Sequence, residues 1–297
     1  MKAILYLCAA ALAGCGSDSV TAKAAPAPLD WAALRAVVDG PEGEAWISFH
    51  PSGTVVVFDR NTKDWKDHRV WVTRLVDGKW TPAEPVPFTK DDNGYSPRFS
   101  ADGKSVLFSS SRPLPAVLRV TPKDGSKDQN IWRAPWDGEK FGEAVPVTGI
   151  NTAWAEIEAV EVANGTIYVS STISKEKNPK NNVDIYKAVP KGDGTYTITL
   201  ADAVNTANTE STQYVTPDER LMLFSRSHDP QGLGEDDIFV SYNHGGKWSA
   251  PVHLGGEANS KAYEYGPELT PDGKTLLVTT HRSGQAEIIA MPMPAER

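Results

Sequence analysis

Apolar and polar residues alternate along the chain in one short pattern that occurs five times. In the copy that begins at Gly266, an apolar run leads into Asp272-Gly273, and a second apolar run, Thr275 to Val278, follows. An Asp-Gly pair between two such runs is typical of a β-hairpin, because the tight turn needs residues with positive φ. The other copies have the same order of apolar run, polar turn and apolar run: Phe49 to Phe58, Phe99 to Phe108, Val160 to Val169 and Tyr214 to Phe224.

The spacing of the copies indicates a propeller. The third turn residues stand at positions 53, 103, 165, 219 and 273, so the copies are 50, 62, 54 and 54 residues apart. A period in this range, with several strands in each unit, is typical of propeller blades. We therefore predict an all-β fold, a five-bladed β-propeller built from four-stranded antiparallel blades.

The remaining strands suggest how the ring closes. Each hairpin is followed by a third strand: Val70 to Leu75, Ile131 to Ala134, Ile185 to Val189, Ile238 to Tyr242 and Ile288 to Met291. The first four of these are followed by a fourth, outer strand, whereas the last runs into the C-terminus. Trp31 to Val38 is predicted as an outer strand with no blade before it. Pairing it with the Ile288 strand would complete the fifth blade and remove an open sheet edge.

Several phrases of the repeat carry a resemblance to a known family. The phrases are Ser96 to Gly103, Leu107 to Arg112, Gly234 to Phe239 and Gly246 to Pro251. They resemble the WD40-like propeller repeat of TolB and of many other bacterial envelope proteins, and the resemblance covers roughly residues 30 to 297. It implies the propeller fold, and it leaves the activity open because propellers host unrelated functions.

The N-terminus is predicted to be a targeting segment. Lys2 is followed by a short apolar run that ends in Leu12-Ala13-Gly14-Cys15. This resembles the lipobox of bacterial lipoproteins, which implies residues 1–15 as a signal peptide and lipidation of Cys15. Residues 16–29 are then a flexible tether and residues 30–297 the propeller. Gly16 after the cysteine implies a bacterial envelope location, lipid-anchored at the periplasmic face of the outer membrane.

Composition narrows the chemistry further. A net charge of −8 argues against nucleic acid as the main partner. Cys15 would be the only cysteine left after cleavage, which excludes an internal disulfide and a catalytic cysteine. Zinc-type His-Glu-x-x-His spacing, a serine-nucleophile elbow and a glycine-rich phosphate loop are missing from the sequence. We expect a monomer without a cofactor, with calcium at the channel mouth as the one open possibility.

Strand order places the long loops on one face of the ring. The loops between second and third strands lie beside the entry to the first strand, and we call this side the loop face. The opposite side, which carries the Asp-Gly turns, is the turn face. Loops on a rigid scaffold commonly hold functional residues, so the site is predicted on the loop face.

One position at the entry to the first strand is glutamate in four of five blades. The four residues are Glu44, Glu156, Glu210 and Glu264, with Gly94 in the second blade. Three follow an Asn-Ser/Thr phrase, as in Asn205-Thr206 before Glu210. They are predicted to converge at the channel mouth. Two roles stay open, of which the structural one is favoured: hydrogen bonding and ion pairing within the fold, or binding of a cation or polar ligand.

Other loop-face residues complete the candidate ligand site. Arginine forks recognise carboxylates and phosphates, and aromatic rings suit sugars or peptides. Ion pairing between blades or a solvated rim is the favoured role for the arginines, and core packing is the default role for the aromatic residues. The further candidates are Tyr95, Arg98, Arg112, Arg226, His228 and Arg282.

Two functions compete. The first is a membrane-tethered binding propeller that holds an envelope protein, peptide or glycan around the channel mouth. The second is a five-bladed glycoside hydrolase that uses channel-mouth carboxylates. The lipobox and the missing catalytic motifs favour binding over catalysis.

Overall fold

The computed structural model describes residues 28–41, 43–62, 66–90, 92–119, 121, 129–176 and 183–296, which form a ring of five small antiparallel sheets. The first sheet runs β1-β2-β3-β4, with β5 also paired to β3: β1 (Glu44–Phe49), β2 (Val55–Asn61), β3 (His68–Val76), β4 (Lys79–Trp80) and β5 (Glu84–Pro85). The second runs in chain order: β6 (Tyr95–Phe99), β7 (Ser105–Ser110), β8 (Asn130–Pro135) and β9 (Val145–Pro146). The third does the same: β10 (Glu156–Glu161), β11 (Ile167–Ser171), β12 (Asp184–Pro190) and β13 (Tyr196–Leu200).

The last two sheets complete the ring. The fourth runs β14-β15-β16-β17, with β18 also paired to β16: β14 (Glu210–Val215), β15 (Leu221–Ser227), β16 (Asp236–His244), β17 (Lys247–Trp248) and β18 (Val252–His253). The fifth has three strands: β19 (Glu264–Leu269), β20 (Thr275–Thr280) and β21 (Glu287–Pro292). Three short 3-10 helices lie between strands: Pro87–Thr89, Ala116–Leu118 and Ile173–Glu176. The predicted five-bladed all-β propeller is confirmed.

Each junction between neighbouring blades has its own apolar core. Five buried clusters are present in the described residues, and each joins side chains of two adjacent sheets. Between the third and fourth blades, for example, Tyr168 and Ile185 pack with Met222 and Phe224. Because each sheet presents one face to either neighbour, the blades stabilise one another around the ring.

The prediction that Trp31 to Val38 is an outer strand is wrong. This segment is the α-helix α1 (Trp31–Val38), and Asp30 caps it by accepting a hydrogen bond from the Ala33 N–H at 3.1 Å. Its sequence is rich in alanine with Leu34 and Arg35, residues of high helix propensity, and an aspartate N-cap adds to that preference. The fifth blade therefore keeps three strands in the described part of the chain.

The helix still closes the ring, by packing rather than by strand pairing. Leu34 and Val38 are fully buried among side chains of the first and fifth blades, including Phe58 and Ile288. Arg60 of the first blade donates to the Val38 carbonyl at 2.9 Å. The Glu44 N–H donates to the Ala286 carbonyl at 3.3 Å, joining the two blades directly. No helix in the described ranges combines the length and apolar character needed to cross a membrane.

We predict that Leu34→Ala lowers the free energy of unfolding by about 2–5 kcal/mol, because it leaves a cavity in the core between the first and fifth blades. The matched control is Leu200→Ala on the outer strand β13, where the side chain is 40% exposed, and it should cost well under half as much. Urea denaturation of the two variants and the wild type measures both effects. Equal losses in the two variants would contradict a closing role for α1.

Candidate ligand-binding site

The four predicted glutamates start the inner strands, and their side chains are buried. Glu156, Glu210 and Glu264 have no exposed surface, and Glu44 is 4% exposed. Buried carboxylates need hydrogen-bond donors or ion pairs. The surroundings of each glutamate therefore show which role it has.

The Asn-Ser/Thr phrase provides the donors for three of them. In each case the hydroxyl and the backbone N–H of the Ser or Thr four residues earlier both donate to the carboxylate. For Glu210 the donors are Thr206 Oγ1 at 2.5 Å and Thr206 N at 2.9 Å. Thr152 and Ser260 make the same bonds to Glu156 and Glu264.

The asparagine of the phrase attaches this segment to the preceding blade. Its side-chain amide bonds to both backbone groups of one residue in the third strand of that blade. The amide oxygen accepts from the N–H of this residue, and the amide nitrogen donates to its carbonyl. The pairs are Asn151 with Ile131, Asn205 with Ile185 and Asn259 with Ile238, at 2.6–3.0 Å. In the second blade Thr89 stands at this position and accepts from Val70 N at 3.2 Å. We call the segment from this residue to the inner strand the connector.

Three of the candidate arginines, at or just after the ends of second strands, hold the connectors by hydrogen bonds. Arg226 donates to Glu210 at 2.7 Å and to the Val204 carbonyl at 2.9 Å. Arg282 makes the equivalent bonds to Glu264 and to the Ala258 carbonyl. Arg112 donates to the Phe88 carbonyl at 2.6 Å. Arg226 and Arg282 each pair with the glutamate of their own blade. These contacts support the structural role for the glutamates.

Glu44 differs from the other three glutamates. It accepts from the Gly40 N–H without a Ser or Thr partner, and it lines a cavity of about 270 Å³ together with Arg60. Burial raises the pKa of Glu44 to about 7, and the Gly40 hydrogen bond and the Arg60 charge oppose that rise. For Glu210 burial likewise raises the pKa, against the Thr206 and Arg226 contacts.

The inner strands bend toward the channel at one shared position. Trp46, Ser96, Thr212 and Gly266 stand at equivalent positions near the start of an inner strand, and each has a positive φ between 44° and 58°. The strand pairing slips by one residue at these points, which makes each a β-bulge. Glycine is required at 266, because a Cβ there would lie 2.9 Å from Trp46 Cδ1. The bulges re-aim side chains at the ring centre.

Buried charges occupy the channel interior. Arg98 forms an ion pair with Glu268, and its guanidinium also donates to the Pro267 carbonyl at 2.9 Å. Ser96 donates to Glu158 at 3.1 Å. Burial raises the pKa of Glu158 and of Glu268 to about 7, with Arg98 opposing both shifts. The cavity beside Arg98 at the turn face holds only about 140 Å³, which is small for a ligand site.

The loop face has a larger cavity of about 550 Å³ between the first two blades. Its lining is aromatic and polar: Trp46, Lys66, His68, Asn93, Tyr95, Ser111 and Gln129. Ligand sites are typically concave, of this volume, and combine aromatic surface with a few placed polar groups. This cavity is therefore the candidate ligand-binding site.

His68 and the rings of Trp46 and Tyr95 form the inner wall, with Asp59 and Tyr265 packed behind them. His68 Nδ1 lies 2.9 Å from Asp59 Oδ2, so the carboxylate orients the imidazole. Burial raises the pKa of Asp59 to about 6 in spite of that contact. The Trp46 ring lies 5.0 Å from Tyr265 and 6.3 Å from Tyr95 between centroids.

The sequence-predicted candidates thus lie in four different places. Tyr95 lines the cavity, Arg98 lies inside the channel, and the glutamates and three arginines hold the connectors. His228 is mostly exposed on its loop, 3.4 Å from Glu235. Cys15 lies outside the described residues. Their binding roles stay predictions.

Sequence reasoning missed Asp59, His68, Asn93 and Glu158. A usable signal was present for one of them, since Glu158 stands at the sequence position where the other blades have Trp, Ser, Thr or Gly. No comparable repeat signal marked the other three. In the described part of the chain, no group of three or more His, Cys, Asp or Glu residues is placed to hold a metal ion, and calcium at the channel mouth stays a prediction.

Comparison with known proteins shows the fold. No family model matches the chain, and no curated protein matches it. Among solved structures it is similar to an endo-arabinase from Bacteroides thetaiotaomicron, with a TM-score of 0.54, 13% identity, and coverage of 88% of this chain and 96% of that one. A TolB homologue from Agrobacterium tumefaciens has a TM-score of 0.51 and 16% identity, over 86% of this chain and 78% of that one.

A third similar structure belongs to a much longer protein. Kuenenia stuttgartiensis hydrazine synthase matches with a TM-score of 0.53 and 14% identity over 84% of this chain. The match covers only 37% of the hydrazine synthase chain. At these identities the three likenesses show a shared propeller and carry no activity across.

We predict that Glu210→Gln lowers the free energy of unfolding by on the order of a few kcal/mol, because it removes the more deeply buried of the two carboxylates that pair with Arg226, the other being Asp229. The control is Glu257→Gln, the same change at an exposed residue close to the next connector, where the effect should stay within about 0.5 kcal/mol. Chemical denaturation compares the two variants. A Glu210→Gln protein as stable as wild type would contradict the structural role of the connector.

Proposed function

We propose that the chain is an envelope-tethered binding propeller that holds a glycan in the loop-face cavity. The observation that carries this proposal is the cavity lining, in which Trp46 and Tyr95 contribute aromatic surface beside the amides of Asn93 and Gln129. Sugar rings present apolar faces and hydroxyl edges, and such a lining matches both. A protein or peptide, the other ligands the sequence allowed, would need a broader apolar surface.

The site is also held rigidly, which favours binding. Asn93 accepts from His68 N at 3.4 Å and donates to the Lys66 carbonyl at 3.0 Å. The Gly94 N–H donates to the His68 carbonyl at 3.1 Å, so the two blades are joined along the cavity wall. A preformed pocket loses little conformational entropy when a ligand enters.

A glycoside hydrolase is the second candidate. The specific observation in its favour is the pair Asp59 and Glu158, whose pKa values burial raises to about 6 and about 7. A hydrolase of this kind needs two carboxyl groups at the substrate. Asp59 has no exposed surface, Glu158 is 5% exposed, and neither lines the cavity. The arrangement therefore supports binding better than hydrolysis.

We predict that the purified protein binds a subset of an array of bacterial and plant glycans, and that Tyr95→Ala weakens this binding about tenfold or more by removing an aromatic wall. Tyr263→Ala is the matched control, because Tyr263 is 46% exposed on the same face and outside the cavity. Calorimetry on the array hits measures both variants. Equal weakening by the two changes would contradict the assigned cavity, and release of shorter sugars during incubation would favour the hydrolase.

We also propose that Cys15 anchors the protein to the membrane through a lipid. Leu12-Ala13-Gly14-Cys15 supports this, and several acyl chains give stable anchoring. Cys15→Ser is expected to move the protein from the membrane fraction to the soluble fraction, or to block its processing, in a bacterial host. Wild-type protein recovered wholly in the soluble fraction would rule the anchor out.

A further inference from the structure

The connector into the first blade lacks a donor that three other connectors have. Glu156, Glu210 and Glu264 each accept a hydrogen bond at 2.5–2.6 Å from the Ser or Thr hydroxyl four residues earlier. Gly40 stands at that position before Glu44, and it donates its backbone N–H alone. The Glu44 side chain is nearly as deeply buried as the other three. Because buried carboxylates need donors, the missing hydroxyl leaves Glu44 less well satisfied than its counterparts.

Arg60 also departs from the pattern of the other blades. Arg226 and Arg282 donate to the glutamate of their own blade. The Arg60 guanidinium instead donates to the Val37 and Val38 carbonyls at the end of α1, at 3.0 Å and 2.9 Å. The arginine of the first blade is therefore held by the helix, in place of the glutamate–arginine hydrogen bond found in the fourth and fifth blades.

The space beside these groups is the cavity of about 270 Å³ that Glu44 and Arg60 line, together with Asn61 and Trp71. We call it the Glu44 cavity. Side chains alternate along β3, so Trp71 lines this cavity whereas His68 lines the larger one. The two cavities are therefore separate. The volume of the Glu44 cavity lies just below the range of sites for drug-sized ligands, which suits a molecule no larger than a single sugar ring.

Asn61 contributes a second acceptor to the Glu44 cavity. Its side chain is 3% exposed, and its Nδ2 donates to the Thr62 carbonyl at 3.2 Å, which fixes the orientation of the amide. The Oδ1 atom is buried and has no hydrogen-bond partner among the described residues. A buried oxygen without a donor is costly, and in a native fold such an atom calls for a ligand or a water molecule. The cavity lining thus holds two acceptors, Glu44 and Asn61, that lack a hydroxyl donor.

We propose that the Glu44 cavity binds a small neutral polyol, such as glycerol or a single sugar ring, whose hydroxyl groups donate to the Glu44 carboxylate and to Asn61 Oδ1. One ligand hydroxyl takes the place that the Ser or Thr hydroxyl has in the other connectors. Trp71 supplies aromatic surface for the C–H groups of the ligand. This site is separate from the loop-face cavity and does not rest on the proposed glycan-binding function.

The lining favours a neutral ligand. Glu44 and Arg60 carry opposite charges, and Asp67 pairs with Arg69 at 3.2 Å at the rim. An anion would meet Glu44 and a cation would meet Arg60, and an unpaired charge beside buried groups is costly. A zwitterionic amino acid would match both charges, but Arg60 already donates to the helix carbonyls. Hydroxyl groups therefore fit the lining best.

Glucose, glycerol and glycine test the proposal when each is titrated into the full-length protein and followed by NMR at the Trp71 indole N–H and the Asn61 side-chain amide. We expect glucose and glycerol to shift both signals, with a dissociation constant for glucose on the order of 1 mM, because a ligand of this size makes few contacts. Glycine should leave both signals in place. Absence of any shift with glucose and glycerol means that the cavity holds water only, which overturns the proposal and leaves glycan binding in the loop-face cavity standing. Tighter binding of glycine than of glucose also overturns it.

Gly40→Ser restores the hydroxyl that the other connectors carry. A Cβ at position 40 would lie 2.9 Å from Glu44 Oε1, at the end of a flexible side chain that can shift. The serine should therefore occupy the ligand's place, weaken glucose binding about tenfold or more, and leave the melting temperature equal or higher. Gly256→Ser is the matched control, because Gly256 is exposed and a Cβ there would lie 3.7 Å from its nearest neighbour, Leu233 Cδ1. It should change neither quantity.

Asn61→Ala gives an independent measurement at the second acceptor. Removing the amide should weaken glucose binding several-fold when it is followed at the Trp71 indole, and melting curves show whether the variant is folded. Wild-type glucose affinity in Gly40→Ser or in folded Asn61→Ala would overturn the proposal.

Discussion

The fold depends on the side-chain amide that attaches each connector to the blade before it. Asn151, Asn205 and Asn259 each satisfy both backbone groups of one third-strand residue, and the glutamate that follows is held by the same short segment. Packing between sheets is non-directional, so it leaves the angle between blades loosely determined. A two-bond contact at three of the five junctions fixes that angle there, and it fixes the position of the inner strands that follow.

The junction between the last and first blades is held by a different kind of contact. Asp39 stands where the other connectors have asparagine or threonine, and a carboxylate cannot donate to a carbonyl. Helix α1 supplies apolar contact here instead, with Leu34 and Val38 in the core. The Arg35 guanidinium adds a contact to Glu287 of the fifth blade at 3.5 Å. The contact between the fifth and first blades is therefore mainly hydrophobic.

The sequence predicted the blades well and the site poorly, for physical reasons. Repeated phrases such as Asn205-Thr206, which precedes three of the five inner strands in its Asn-Ser/Thr form, report structural needs that several blades share. The cavity instead uses residues that occur once, such as His68 and Asn93, which a repeat search passes over. The bulge at Trp46 depends on positive φ in a bulky residue, a conformation that local propensity disfavours. Helix α1 was missed because its place in the repeat pointed to a strand, although its composition favours a helix.

The proposed function follows from where the repeat is broken. Trp46 and Glu158 occupy one position of the inner strands at which the other blades have Ser, Thr or Gly, and Trp46 and Tyr95 line the loop-face cavity. The most direct measurement is a crystal structure of the protein with a glycan identified by binding. Electron density for the sugar between Trp46 and Tyr95 is the result expected. Density instead beside Arg98 and Glu268 at the turn face would contradict the assignment of the site.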